Sequence, residues 1–103
     1  MKKVQVIWTS EAIRDLEIIY DFLAVSSSSA AQRICECLLS RAKQIETFPE
    51  SGSPLIELKS PSYIYRYLVE GNYKIVYSYR PEIGAVYVHT IFDSRLNPEK
   101  LKV

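Results

Sequence analysis

Residues 63–102 read YIYRYLVEGNYKIVYSYRPEIGAVYVHTIFDSRLNPEKLK, three alternating segments joined by two tight connections and followed by a basic tail. Tyr65, Tyr67 and Val69 alternate with Ile64, Arg66 and Leu68. Tyr73, Ile75, Tyr77 and Tyr79 alternate with Lys74, Val76, Ser78 and Arg80. Val86, Val88, Thr90 and Phe92 alternate with Tyr87, His89, Ile91 and Asp93. Successive side chains leave a strand on opposite faces, so a period of two among β-branched and aromatic residues marks strands. Glu70-Gly71-Asn72 and Pro81-Glu82-Ile83-Gly84 supply the turns between them. The spacing predicts an antiparallel meander whose two faces both carry large apolar groups and a few cations.

Upstream the period changes. Val4, Val6 and Trp8 alternate with Gln5 and Ile7, which predicts a short first strand. Ser10 is the expected cap of a following helix, with Glu11 well placed at its positive end. Ala12, Leu16, Ile19, Tyr20 and Leu23 then recur at spacings of three and four, tracing one helical stripe. Ser26 to Ser29 interrupt the pattern and offer a second cap. The next stripe is Ala31, Ile34, Cys35, Leu38, Leu39, Ala42, Ile45 and Phe48, and Pro49 ends it. Residues 50–61 hold Gly52, Pro54 and Pro61 and read as an irregular loop. The expected architecture is α+β in the order β-α-α-β-β-β, with a helical hairpin packed on one face of a four-stranded antiparallel sheet. Residues 1–103 form one expected domain, since this length supports a single core.

Composition narrows the function classes. A hydrophobic content of 48% with 24% charged residues belongs to a globular chain, not a disordered one. The formal net charge of +1 conceals an asymmetry. Residues 1–58 carry six Lys/Arg against eight Asp/Glu, and residues 59–103 carry seven against four. The sheet half is therefore mildly basic, which is compatible with a polyanionic partner. No apolar run reaches membrane-spanning length and the opening residues lack a signal-peptide pattern, so a cytoplasmic location without membrane contact is expected. Cys35 and Cys37 stand two apart in a helical pattern, point to different faces and are not expected to bridge. The sequence shows no zinc-type spacing, no glycine-rich phosphate cradle and no nucleophile motif, so neither metal nor cofactor is expected.

Two helices cover one face of such a sheet and leave nothing for the other. A bare face bearing Tyr and Val side chains is expected to bind a macromolecular partner, or else to be shielded by the tail or to form a homodimer.

Four segments carry a resemblance to a known family. They are VIWTSEAIRDLEIIYDFL at the start, FPESGSP after the second helix, YRYLVEGNYKIVY, and VHTIFDSRLNPEKL near the end. In this order and spacing the chain resembles the RelE/ParE superfamily of toxins from type II toxin–antitoxin systems, which includes the plasmid stabilisation proteins. The resemblance implies a compact toxin neutralised by a cognate antitoxin and arresting growth when free. It implies either inhibition of DNA gyrase in the ParE manner or ribosome-dependent cleavage of messenger RNA in the RelE manner, with a decayed toxin that only binds its antitoxin as a third reading. The gyrase reading is favoured, because the RelE set of side chains is incomplete.

RelE-like cleavage is metal-independent. The 2′-hydroxyl attacks the adjacent phosphate, so cations and proton-transfer groups must surround the phosphate. By the resemblance, Lys74 falls at the basic position after the glycine turn and Arg95 at the arginine following the last strand. Arg66 stands where those members carry a lysine pair, and Leu101 stands near their late tyrosine. Arg66 would alternatively bind an acidic antitoxin residue. His89, the single histidine, is a further candidate base, because imidazole titrates near neutrality. Asp93 is placed to orient Arg95 through a charge-assisted pair. The tyrosines are expected to pack the sheet, with one on the open face able to stack on a base.

Overall fold

The computed structural model describes residues 3–59 and 63–95, with backbone alone at 56–59. The elements are β1 (Gln5–Trp8), α1 (Ser10–Ala24), α2 (Ser28–Thr47), β2 (Ser53–Lys59), β3 (Ile64–Glu70), β4 (Tyr73–Arg80) and β5 (Ala85–Asp93), with a 3₁₀ turn at Pro81–Ile83. The strands form one sheet in the order β1-β5-β4-β3-β2. The α+β class and the β3-β4-β5 meander agree with the sequence expectation, and Gly71 and Gly84 sit in the turns at φ 59° and 62°. Between Glu70 and Tyr73 only two residues intervene, with the left-handed glycine first, the pattern of a type II′ hairpin turn.

The sheet departs from the sequence reading in two ways. It has five strands, because Ser53–Lys59, expected as loop, pairs antiparallel with β3. SPLIELK lacks clean alternation and holds Pro54, features tolerated in an edge strand whose outer side needs no donor. The sheet is also mixed. β1 pairs parallel with β5, from Gln5 opposite Ala85 to Trp8 opposite Val88. The helices fold back on each other and the remaining strands run antiparallel, so β5 lies an even number of chain reversals after β1. That parity makes the pairing parallel.

Thr9, not Ser10, caps α1. Its backbone is extended (φ −69°, ψ 160°), and its hydroxyl accepts from the Ala12 N–H at 3.2 Å while donating to the Val88 carbonyl at 2.9 Å. A cap that also ties the helix to β5 does more than one that faces solvent. Ser27 caps α2 in the expected way, accepting from the Ala30 N–H. The core on the helix side joins Ala12, Leu38, Ala42 and Ile45 to Leu68, Ile75, Tyr77, Val86, Val88 and Ile91. Cys35 is buried and Cys37 exposed, and neither is bridged.

β5 contains an irregularity that strict alternation does not foresee. Val76 pairs with Thr90 and Tyr77 with Val88, so His89 is an extra residue on β5, a β-bulge. The bulge turns Ile91 to the helix side and Phe92 to the other. It also sends the Thr90 hydroxyl toward α1, where it donates to Asp15 Oδ2.

The face opposite the helices is less bare than expected. Leu55, Val76 and Phe92 form a second small core there, with Tyr65 and Tyr67 packed against it, and Val76 is 0% exposed. Tyrosine rings thus close the middle of this face. The large exposed apolar groups gather instead on α1. Ile18, Phe22 and Val25, at positions i, i+4 and i+7, are 55%, 71% and 87% exposed. The helix is apolar on two faces, and only one meets the sheet.

Candidate functional site

Alternation sorts the cations of the sheet by face. On β4, Tyr73, Ile75, Tyr77 and Tyr79 pack on the helix side, so Lys74, Ser78 and Arg80 project from the opposite face. On β3, Leu68 belongs to the helix side, which places Arg66 there too and Tyr65 and Tyr67 on the open face.

The expected cations therefore do not converge. The Lys74 ammonium lies 4.6 Å from the centre of the Tyr67 ring on the open face, a cation–π contact. Arg66 works on the other side of the sheet. Its Nη1 donates to the Gly52 carbonyl at 2.9 Å and reaches the Glu50 carbonyl at 3.4 Å, and its side chain is only 17% exposed. It also stands 3.9 Å from the Glu50 carboxylate, a weak pair because Glu50 is well exposed. Arg95 is exposed past the end of β5. Asp93 grips it with Nε at 3.1 Å and Nη2 at 2.8 Å, the pair expected from sequence. The guanidinium holds the Asp93 carboxyl below its usual range, and the carboxylate raises the Arg95 pKa further. Leu101 lies outside the described residues.

His89 sits on the open face at the bulge. Its Nε2 is 2.8 Å from Ser78 Oγ, and its ring meets Tyr65 edge-on with centroids 5.1 Å apart. Burial, and then the nearby Arg80 charge, push the imidazole down to about 4. It is neutral at pH 7 and a poor proton acceptor there.

The group that sequence reasoning passed over is Arg80. Its guanidinium carbon lies 3.6 Å from the centre of the Tyr63 ring and 5.0 Å from that of Tyr87. The Tyr63 hydroxyl is 3.3 Å from that of Tyr65, and burial together with this contact pushes the Tyr65 phenol up to about 12. Arg80 Nε is buried and has no hydrogen-bond partner among the described residues. A signal was present in the sequence. Arg80 shares strand parity with Lys74, and Tyr63, just before β3, and Tyr87, on β5, supply the rings beside it.

Among the described residues no group of three or more His, Cys, Asp or Glu is placed to hold a metal ion. No helix among them is long and apolar enough to cross a membrane.

Comparisons with known proteins agree with this frame. In fold, the chain is similar to a structure of the chromosomal ParDE toxin–antitoxin system from P. aeruginosa, with a TM-score of 0.70 at 16% identity over 88% of this chain and 96% of that one. It is also similar to the archaeal RelE–RelB complex from Pyrococcus horikoshii OT3, with a TM-score of 0.65 at 11% identity over 89% and 96%. A chain of the RelBE2 toxin–antitoxin complex of Mycobacterium tuberculosis matches with a TM-score of 0.62 at 19% identity, over 88% and 98%. In sequence it is 39% identical over 70 residues to Toxin RelE2 of Caulobacter vibrioides, spanning 63% of this chain and 80% of that protein. The family model for the ParE toxin of the type II toxin–antitoxin system parDE matches residues 6–97, from the first strand to just beyond the last. On that span, this chain belongs to the ParE toxin family of type II toxin–antitoxin systems, within the RelE/ParE superfamily.

Proposed function

We propose that the free chain arrests growth by binding a protein target, DNA gyrase in the ParE manner, and that a cognate antitoxin neutralises it. The observation that carries this reading is the separation of Arg66 from Lys74 on opposite faces of the sheet. Stabilising a phosphate in the act of cleavage requires cations aimed at one point, with a proton donor and acceptor beside them. Here Arg66 is committed to main-chain carbonyls, Arg95 to Asp93, and His89 is a weak base. Inhibition by surface contact needs none of this machinery. The α1 stripe of Ile18, Phe22 and Val25 supports a protein partner, because exposed apolar patches on small domains mark interaction surfaces. Glu17 stands just before Ile18 and Asp21 just before Phe22, which favours a partner segment with basic flanks.

Expression without a partner should stop bacterial growth. Co-expression of the small acidic or DNA-binding protein expected from an adjacent reading frame should restore it. Arrested cells should show DNA breaks and an induced damage response. Cuts in translated messages, seen by primer extension and abolished by Arg95→Ala, would instead establish the ribonuclease reading. Healthy cells at high expression would mark a decayed toxin.

A further inference from the structure

The outer face of α1 combines its apolar stripe with charges of both signs. Ile18, Phe22 and Val25 are exposed, and none of them belongs to either core cluster. At about 100° per residue, Arg14 and Asp21 fall about 40° and 60° round the helix from Ile18, both to the same side. Glu17 lies about 40° beyond Asp21, further from the stripe. One flank of the stripe is therefore basic toward the start of the helix and acidic toward its end. Arg14 and Asp21 are exposed, and neither enters an ion pair among the described residues. The last turn of α1 holds no basic residue, so its own sequence puts no cation at the negative end of the helix.

We propose that the stripe is closed by a second copy of this chain, whose α1 lies antiparallel to the first across a two-fold axis. A contact of this kind joins a patch to itself, so the patch must supply both halves of every pair. This one does. An axis perpendicular to both helices, just C-terminal to Ile18, sets Ile18 of each copy against Ile18 and Phe22 of the other. It also brings like flanks together, so Arg14 of each copy meets Asp21 of the other and two equivalent ion pairs form. Arg14 thereby arrives over the C-terminal half of the neighbouring helix, where a cation complements the helix dipole. A parallel pair would level Arg14 with Arg14 and Asp21 with Asp21, leaving both unmatched. Three apolar side chains and two ion pairs make less than the standard interface of about 1,600 Å², so the pair forms and parts with concentration. Such pairing goes beyond the reading above and is independent of the toxin's target, since a second copy and a partner protein take the stripe in turn.

Sedimentation equilibrium of the whole chain, free of any partner, tests this from about 10 to 500 µM, the range of a weak protein pair. The average mass should climb from one copy toward two, and Phe22→Asp should hold it at one. Arg14→Asp and Asp21→Arg each set like charges together and should weaken pairing by about tenfold or more. An equimolar mixture of these two variants regains opposite charges at both positions and should pair as the wild type does. Only contact between two copies gives that rescue, which a fold damaged by either substitution cannot produce. A wild-type chain that stays a single copy at the highest concentration overturns the proposal and leaves the stripe to another protein. Pairing that survives Phe22→Asp, or that the mixture fails to restore, overturns it as well. Growth arrest and its relief by the adjacent protein are scored separately, so a chain that is neutralised yet never pairs loses this inference alone.

Discussion

Gly52 and Tyr77 are mutually fitted. The Gly52 N–H donates to the Tyr77 hydroxyl oxygen at 2.8 Å, and a Cβ built on Gly52 would stand 2.6 Å from that oxygen and 2.8 Å from the Tyr67 carbonyl oxygen. The bend that carries FPESGSP is thereby pinned to the middle of β4. Gly52→Ala should destabilise the fold by about 3 kcal/mol, because Tyr77 is fully buried and the Tyr67 oxygen is backbone. Tyr77→Phe keeps the packing but strands the buried Gly52 N–H, at a cost of roughly 1–3 kcal/mol. Urea denaturation of both variants checks this, and wild-type midpoints in either would remove the pin.

Arg66 closes the same bend from the other side by donating to the Gly52 carbonyl. A structural clamp and a catalytic cation differ in what their loss does. Arg66→Gln should lower stability by about 1–2 kcal/mol. Toxicity per folded molecule should stay unchanged. Growth arrest is to be scored at matched levels of soluble protein, and a stable but harmless variant would return Arg66 to the active machinery.

Asp15 is the least expected feature of α1, a buried acid on an apolar stripe. β1 pairs with β5 only as far as Val88, and beyond that point the edge of β5 needs other partners. Asp15 Oδ2 accepts from the Ile91 N–H at 3.1 Å and from the Thr90 hydroxyl at 2.5 Å. Asp15→Ala should therefore cost about 3 kcal/mol, and Asp15→Asn, which keeps an acceptor oxygen, clearly less. Hydrogen exchange at Ile91 should rise in Asp15→Ala ahead of exchange elsewhere in β5.

Periodic segments were legible in the sequence, and so were the family segments. The tyrosine-rich strands, both helices and the Asp93–Arg95 pair follow from spacing alone. Three things did not. β2 carries only a short alternation, Ile56 and Leu58 against Glu57 and Lys59, and Gly52, Pro54 and Pro61 around it read as loop. The parallel pairing of β1 depends on chain parity, which a missing strand corrupts. The His89 bulge inverts the faces downstream of it, so Ile91 and Phe92 exchange the sides that strict alternation assigns. The site suffered for a related reason. Arg66 and Lys74 look like neighbours in sequence, but they leave different strands at opposite parity.

The outer stripe of α1 offers a sharp test of the partner. Phe22 is largely exposed and takes no part in either core cluster, so Phe22→Asp should change stability by less than about 0.5 kcal/mol. In the complex it should bury a charge among apolar groups and weaken neutralisation by tenfold or more. Co-expression growth assays and purification of the complex measure this directly. Undiminished rescue by the antitoxin would show that α1 faces something else.

His89 makes stability depend on pH in a defined window. Its folded value lies near 4, against 6.5 for an unperturbed imidazole. Between these values the unfolded chain binds more protons than the folded one, so stability is complete above about pH 6.5 and falls as pH drops toward 4. The loss should reach about 2 kcal/mol by pH 5, a range in which most exposed carboxylates remain ionised. His89→Gln should flatten the dependence between pH 7 and 5. Arg80→Gln removes a charge that depresses the imidazole and should move its NMR titration upward. A wild-type urea midpoint that stays level from pH 7 to 5 would mean that His89 protonates in place without opposing burial.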